Sequence, residues 1–181
     1  MGIDHLGYRA KKVFLILGAP SPSHLELGKQ LAHKLNISII PINEVLTDEL
    51  LTNSSLAQRI KNRLELGEIL PNTLVLDLLK SKLAASKPET FLLLGYPRTI
   101  GQIKLLKSDR MFKESSIIGI NFMPENPPYY SKELPKNVKL ILEQHQEVCD
   151  YLFEHNHIIN VKPDFRLSEL VDRIVLSGNI D

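Results

Sequence analysis

The sequence predicts an α/β protein built on a five-stranded parallel, doubly wound sheet. Five short apolar runs alternate along the chain with segments of helical periodicity, the pattern of strands joined by crossover helices. The run at residues 91–94 is apolar at every position, as expected of a strand that is buried on both faces of a parallel sheet. The length of 181 residues suits a single domain with a substantial core.

The elements are expected in a regular order, because each apolar run is followed by a loop and then by a helical pattern. We expect strands at residues 13–17, 37–40, 91–94, 116–122 and 157–161. We expect helices at about residues 24–35, 44–50, 55–66, 72–84, 99–107, 137–154 and 167–176. Residues 1–11 form a lead-in, and residues 123–135, which contain four prolines, are expected to form an extended loop.

Composition and charge narrow the classes of partner. The net charge of +1 gives no indication of binding to nucleic acid or to an anionic membrane. No apolar run approaches 18 residues and no signal peptide is visible, so we expect no membrane association and a cytoplasmic or other reducing compartment. The single Cys149 excludes an internal disulfide and is expected to be a core residue. We expect no metal site and no cofactor.

The loop after the strand at residues 91–94 carries the clearest candidate for ligand binding. It breaks at Gly95 and restarts as a helix for which Thr99 is the expected N-cap. Arg98 therefore lies just beyond the carboxyl end of a central strand, where open α/β sheets bind ligands. With Gln102 about one turn further on, it suits an anion with several oxygens.

Residues 94–99, Leu-Gly-Tyr-Pro-Arg-Thr, resemble the Asp-Gly-Phe-Pro-Arg-Thr segment of adenylate kinases and related nucleoside monophosphate kinases. The resemblance implies a P-loop nucleoside monophosphate kinase-like fold in which Arg98 and Gly95 lie at the monophosphate and Gln102 reads the base. Leu94 stands where the family has the aspartate that organises magnesium.

The segment at residues 66–71 resembles the Gly-x-Leu-Val-Pro segment that encloses the adenine in the same family. The resemblance adds Glu68 and Leu70 to the monophosphate-binding residues, within a helical monophosphate-binding insertion at residues 43–84. The family's acceptor-side segment Ser-Thr-Gly-Asp corresponds to residues 41–44. Only its acid survives there, as Glu44, and its arginine is Thr47.

The first loop resembles a P-loop, which needs two glycines, a lysine and a hydroxyl between a strand and a helix. We predict a degenerate loop with altered positions among Gly18, Ala19, Pro20, Ser23, His24 and Glu26. We interpret Ser23, His24 and Glu26 as the replacements of the second glycine, the lysine and the hydroxyl. Ser23 and Glu26 also fit a capping box, which predicts that the Glu26 carboxylate binds the helix N-terminus and repels a triphosphate. His24 is either a phosphate contact, if protonated, or an ordinary exposed histidine.

Two further features bear on catalysis. The extended loop at residues 123–135 stands in place of the family's arginine-bearing lid, which is therefore predicted to be shortened. Arg59 and Arg63 lie one helical turn apart beside the expected monophosphate site. They either help to bind an anion or form surface ion pairs with nearby acids.

The sequence therefore predicts a catalytically degenerate, adenylate-kinase-like protein. The first hypothesis is a non-catalytic binding or structural module of a larger assembly, with other protein subunits as partners and AMP or another nucleoside monophosphate as a weak ligand. The alternative is a divergent, active nucleoside monophosphate kinase that converts ATP and a monophosphate into ADP and a diphosphate with Mg²⁺. A third hypothesis is an empty pocket in a domain that is retained for its surface.

Overall fold

The computed structural model describes residues 8–18, 22–122, 136–155, 157–162 and 164–178. The five strands are β1 (Lys12–Leu17), β2 (Ser38–Pro41), β3 (Thr90–Leu94), β4 (Ser116–Phe122) and β5 (Ile158–Val161). The helices are α1 (Pro22–Leu35), α2 (Ile42–Leu50), α3 (Ser55–Glu65), α4 (Asn72–Ser86), α5 (Ile100–Ser108), α6 (Lys136–Glu154) and α7 (Leu167–Gly178). The predicted loop at residues 123–135 and most of the lead-in lie outside the described residues.

The strands form one parallel sheet in the order β2-β3-β1-β4-β5. This confirms the predicted five-stranded parallel sheet. β1 and β3 are neighbours in register, with Ile16 opposite Leu94, so both strands end at the same edge.

Each strand contributes side chains to two cores, because successive residues of a strand point to opposite faces. In β1, Leu15 lies in the core that contains residues of α4, α5 and α6, whereas Ile16 lies in the core that contains residues of α1 and α7. β3 divides in the same way, with Leu93 in the first core and Leu92 in the second. Helices therefore cover both faces, as the uninterrupted apolar runs predicted.

The helices that follow β1 and β3 leave the sheet on opposite faces. Helix α1 contributes to one core and α5 to the other, although β1 and β3 are adjacent. Such a divergence between neighbouring strands opens a crevice at their carboxyl ends, and this is where doubly wound sheets bind ligands. The crevice lies between Gly18, at the end of β1, and the loop that contains Arg98.

All predicted boundaries of the five strands and seven helices agree with the structure within two residues. Helix α1 begins at Pro22, two residues before the expected start, which alters the interpretation of the first loop below. No helix in the part of the chain that the structure describes combines the length and apolarity needed to cross a membrane.

Candidate functional site

The loop after β3 holds Arg98 at the carboxyl edge of the sheet. Gly95 turns the chain with a positive φ of 81°, a conformation that glycine adopts without steric cost. Thr99 is the N-cap of α5, since its Oγ1 accepts a hydrogen bond from the N–H of Gln102 at 3.3 Å. The predicted cap is therefore confirmed, and Arg98 lies in the short segment between strand and helix.

Arg98 is held by three hydrogen bonds to neutral oxygen atoms. Its Nε donates to the carbonyl oxygen of Gly95 at 3.0 Å, and its Nη2 donates to Oδ1 of Asn43 at 3.2 Å. Its backbone N–H donates to Oε1 of Gln102 at 2.7 Å. These contacts orient an arginine that remains exposed to solvent.

Arg98 differs from most arginines of this protein in having no carboxylate partner among the described residues. Four others form ion pairs, which are Arg9–Glu114, Arg59–Asp77, Arg63–Glu68 and Arg166–Glu169. A guanidinium group bound only by neutral acceptors keeps its full charge and several N–H donors. The site can therefore receive an anionic group such as a phosphate.

Gln102 supports this loop from inside α5. The residue is only 9% exposed, and its side-chain carbonyl accepts the N–H of Arg98. Its backbone carbonyl accepts the O–H of Tyr96 at 3.3 Å. The amide NH2 group has no hydrogen-bond partner among the described residues, so it is the part of Gln102 that can donate to a ligand.

The other residues expected at the monophosphate lie on the loop between α3 and α4. Gly67 adopts a positive φ of 69°, and Leu70 packs partly buried against the larger core. The Glu68 carboxylate accepts from Nη1 of Arg63 at 2.6 Å. Within the described part of the chain, neither Glu68 nor Leu70 forms a hydrogen bond or ion pair with Arg98. The structure brings together Gly95, Arg98 and Gln102, and keeps Glu68 in a separate ion pair.

A cavity of about 450 Å³ opens between α3 and the start of α4. Arg59 and Arg63 line it, and both form ion pairs with acids, as the second of the two sequence interpretations predicted. Because these charges are already paired and exposed, each pair contributes little to stability. Both arginines that line this cavity therefore have carboxylate partners, whereas Arg98 has none among the described residues.

Leu94 does not suit the magnesium ion used by the family that this sequence resembles. Its side chain is buried among apolar residues of the second core. Magnesium requires oxygen ligands, often through coordinated water, and an aliphatic side chain supplies none. Among the described residues, no group of three or more histidine, cysteine or acidic side chains could hold a metal ion.

His24 packs against the first glycine of the first loop. Gly18 has a φ of 126°, and Nε2 of His24 lies 3.0 Å from the point where a Cβ on Gly18 would stand. The ring also meets Phe122 edge-on, with centroids 5.9 Å apart. Burial lowers the pKa of His24 below its ordinary value, which favours a neutral ring at pH 7. The expectation of an ordinary exposed histidine is therefore wrong, since this ring is half-buried.

Glu26 does not cap α1 in the predicted way. Because the helix begins at Pro22, Ser23 is its second residue and cannot be the N-cap. Oε1 of Glu26 accepts from Nε2 of Gln30 at 3.0 Å, one turn further along the helix. In the P-loop pattern, moreover, the hydroxyl directly follows the lysine, so its position here is Leu25. Ala19 and Pro20 lie outside the described residues.

A second imidazole lies near His24. Burial lowers the pKa of His145, and the charge of His24 lowers it further. Nε2 of His145 lies 3.6 Å from Sγ of Cys149. Burial, followed by the Asp150 carboxylate, raises the pKa of that thiol to about 12, so the thiol is not a nucleophile at neutral pH. Cys149 is a core residue, as predicted.

The lowered pKa values of His24 and His145 predict a loss of stability in mild acid. The unfolded chain takes up protons near pH 6.5, whereas the folded state resists protonation of both rings. The unfolding free energy should therefore reach its full value above pH 6.5 and fall as the pH drops through 6.5 toward the folded pKa values.

Urea titrations from pH 5 to 8 measure this dependence, and the unfolding free energy of His24→Gln should fall less than that of the wild type. The control His33→Gln, at an exposed position of α1, should follow the wild type. Equal slopes in all three proteins would contradict the prediction.

Two residues of the site were not predicted from the sequence. Asn43 lies in the segment 41–44, where the resemblance points to Glu44 alone, although it is Asn43 that bonds to Arg98. Phe122, the last residue of β4, contacts His24. The sequence offered one signal for Asn43, a polar residue shortly after a strand. Neither contact could be predicted, because each joins residues that are far apart in the sequence.

The five-stranded parallel sheet, the helices on both of its faces and the arginine after β3 are those of a P-loop nucleoside monophosphate kinase-like α/β fold. Comparison with known proteins agrees. Over 97 residues the chain is 32% identical to an adenylate kinase of Rickettsia africae, covering 53% of this chain and 46% of that protein. Over 110 residues it is 30% identical to an adenylate kinase of Nautilia profundicola, covering 60% and 56%. Over 96 residues it is 35% identical to adenylate kinase isoenzyme 5 of Bos taurus, covering 52% and 17%.

These similarities show that the chain is related to the adenylate kinase and nucleoside monophosphate kinase family. The chain spans about half the length of the bacterial relatives it matches. No protein-family model matches it.

Proposed function

We propose that this protein binds a nucleoside monophosphate, such as AMP, and does not catalyse efficient phosphoryl transfer. The observation that carries the proposal is the environment of Arg98. Its guanidinium group is exposed at the crevice, and among the described residues it is held by the neutral oxygens of Gly95 and Asn43 alone. A monophosphate would supply the negative charge that the described residues do not, and the NH2 group of Gln102 would contact the base.

The loss of catalysis is supported by the residues at the triphosphate side. Phosphoryl transfer depends almost wholly on positioned cations. His24, at the lysine position, is half-buried with a lowered pKa, and Leu94 replaces a magnesium-organising acid with a buried aliphatic chain. Removing one such electrostatic contact typically costs about 10²–10³ in rate. Two losses together would bring turnover far below that of ordinary enzymes.

The alternative is a divergent, active nucleoside monophosphate kinase. It is favoured by the relatives, which are described as adenylate kinases. Such an enzyme would use His24 and Arg98 with ATP and Mg²⁺ arranged without an acid at residue 94. This alternative makes a different prediction about turnover, so one experiment separates the two.

Calorimetry and a coupled assay on the same preparation test the proposal. We expect one of AMP, GMP, CMP or UMP to bind with a dissociation constant between about 1 μM and 1 mM, the usual range for substrates of enzymes. We expect the coupled assay with ATP and that monophosphate to show turnover below about 0.01 s⁻¹.

Turnover on the order of 1 s⁻¹ that disappears in Arg98→Ala would instead establish the active kinase. No heat with any mononucleotide, including ADP and ATP, would favour a domain with an empty pocket that is retained for its surface.

The proposal includes other protein subunits as partners, in a cytoplasmic or similarly reducing compartment. Three large apolar side chains, Leu51, Leu66 and Ile69, are exposed at the turns that flank α3, and Ile69 is 93% exposed. Leu66 and Ile69 are three residues apart in the connection between α3 and α4, and neighbouring exposed apolar side chains are typical of surfaces that bind other proteins. A module without catalysis would act through such contacts.

A further inference from the structure

The first turn of α2 is fixed beside the Arg98 loop by the sheet. β2 pairs with β3 so that Pro41 lies opposite Leu94, and α2 begins at the next residue, Ile42. Ile42 and Val45 are buried in the larger core, which anchors this turn. Asn43, between them, is thereby brought within reach of the loop that follows β3.

Asn43 and the Gly95 carbonyl occupy one edge of the Arg98 guanidinium group. The Nε–H and one N–H of Nη2 form that edge, and they donate to Gly95 and Asn43 respectively. A guanidinium group has five N–H donors, so three are left, one on Nη2 and two on Nη1. An adjacent pair of these can bind two oxygens of a phosphate in parallel.

We propose that Asn43 is a positioning residue, which holds Arg98 so that the outer Nη1–Nη2 pair is available to the phosphate of a nucleoside monophosphate. The inference rests on the proposed monophosphate site. Among the described residues, the Asn43 side chain accepts one hydrogen bond, from Arg98, and it carries no charge, so Arg98 is oriented without being neutralised. Arg63 shows the contrast, because Glu68 orients it but also cancels its charge.

The Asn43 carboxamide therefore contributes two properties: it is long enough to bond to Arg98, and it carries no charge that would neutralise the guanidinium group. Asn43→Ala removes the acceptor, whereas Asn43→Asp keeps the acceptor and the side-chain size but adds a negative charge beside Arg98. If Asn43 positions Arg98, both changes weaken phosphate binding, and the aspartate weakens it more. If Asn43 instead competes with the ligand for Arg98, alanine strengthens binding.

A double-mutant cycle on the full chain tests the inference, with AMP and adenosine as probes in calorimetry. We expect Asn43→Ala to weaken AMP binding by about 3- to 10-fold, the net effect of one ordinary hydrogen bond, because Asn43 acts on the phosphate only through Arg98. Asn43→Asp should weaken it further. Adenosine binding should not change, since a positioning effect acts through the phosphate.

In the Arg98→Ala background, Asn43→Ala should have no further effect on AMP. Asn53→Ala, which removes an exposed asparagine in the connection between α2 and α3, is the matched control and should bind both probes as the wild type does. Tighter AMP binding in Asn43→Ala, or an equal loss for AMP and adenosine, would overturn the inference.

A ligand-free measurement separates this inference from the proposed function. In ¹⁵N spectra of the arginine side chains, Asn43→Ala should speed up the rotation of the Arg98 guanidinium group and leave the other arginines unchanged. Unchanged Arg98 rotation would refute the positioning role, whatever binds. If no mononucleotide binds the wild type but rotation does accelerate, the proposed function fails and the positioning role stands.

Discussion

Replacing Arg98 by alanine is expected to weaken the binding of AMP by about 10- to 100-fold. Hydrogen bonds to charged groups contribute about 1.5–3 kcal/mol, and each 1.4 kcal/mol corresponds to a factor of ten in affinity. Arg98 is the cation at the crevice that no described carboxylate neutralises, so we expect nothing else there to replace it. Calorimetry of wild type and Arg98→Ala at constant ionic strength measures the loss.

Two variants sharpen this prediction. Arg98→Lys keeps the charge but loses the paired donors and the fixed geometry of guanidinium, so it should lie between wild type and Arg98→Ala. Arg110→Ala, which removes an exposed arginine after α5, should leave the affinity unchanged. If Arg98→Ala bound AMP as the wild type does, Arg98 would not be part of the AMP site. The cavity lined by Arg59 and Arg63 would then be the next candidate.

Replacing Phe91 by alanine is expected to remove about 3–5 kcal/mol of stability. Phe91 is fully buried in the larger core, on a strand that pairs with β1 on one side and β2 on the other. Truncation would leave a cavity between the sheet and the helices that pack on it. Because a central strand is paired on both sides, it cannot move to fill that cavity. The loss is a large part of the 5–15 kcal/mol that stabilises a typical domain.

The matched control is Phe153→Ala on α6, where the side chain is 66% exposed. It should change stability by no more than about 0.5 kcal/mol, as surface substitutions usually do. Urea denaturation followed by circular dichroism measures both changes, provided that the slopes with denaturant agree. Equal losses at Phe91 and Phe153 would show that the sheet is not the core of the fold.

The fold was predictable because its signals are local and redundant. The run at residues 91–94 is apolar without interruption, and β3 carries two cores, as such a run requires. Thr99 follows Pro97 at the point where the helical pattern restarts, and it caps α5 through its own hydroxyl. The apolar run and the cap are both patterns within a few consecutive residues, so residue type and spacing suffice to infer a buried strand and a helix start.

The capping box at Ser23 shows how a local pattern misleads. Glu26 stands three residues after a serine, which matches the motif, but α1 begins at Pro22 and Glu26 binds Gln30 instead. Proline is well suited to the first helical position, since it has no N–H to leave unsatisfied there. With the helix starting ahead of the serine, Ser23 is not at the N-cap, so the match to the motif does not correspond to a capping box.

The sequence by itself determined the order of strands and helices along the chain, and it located Arg98 at the end of a buried strand. Only the tertiary structure decided what surrounds that arginine. Asn43 is 55 residues away along the chain, and it meets Arg98 because β2 lies beside β3 in the sheet. In the same way, His24 meets Phe122 only because β1 lies beside β4. Periodicity and residue type are properties of short segments, whereas these contacts depend on which strands are neighbours in the sheet. The partners of Arg98 and His24 could therefore be identified only in the folded chain.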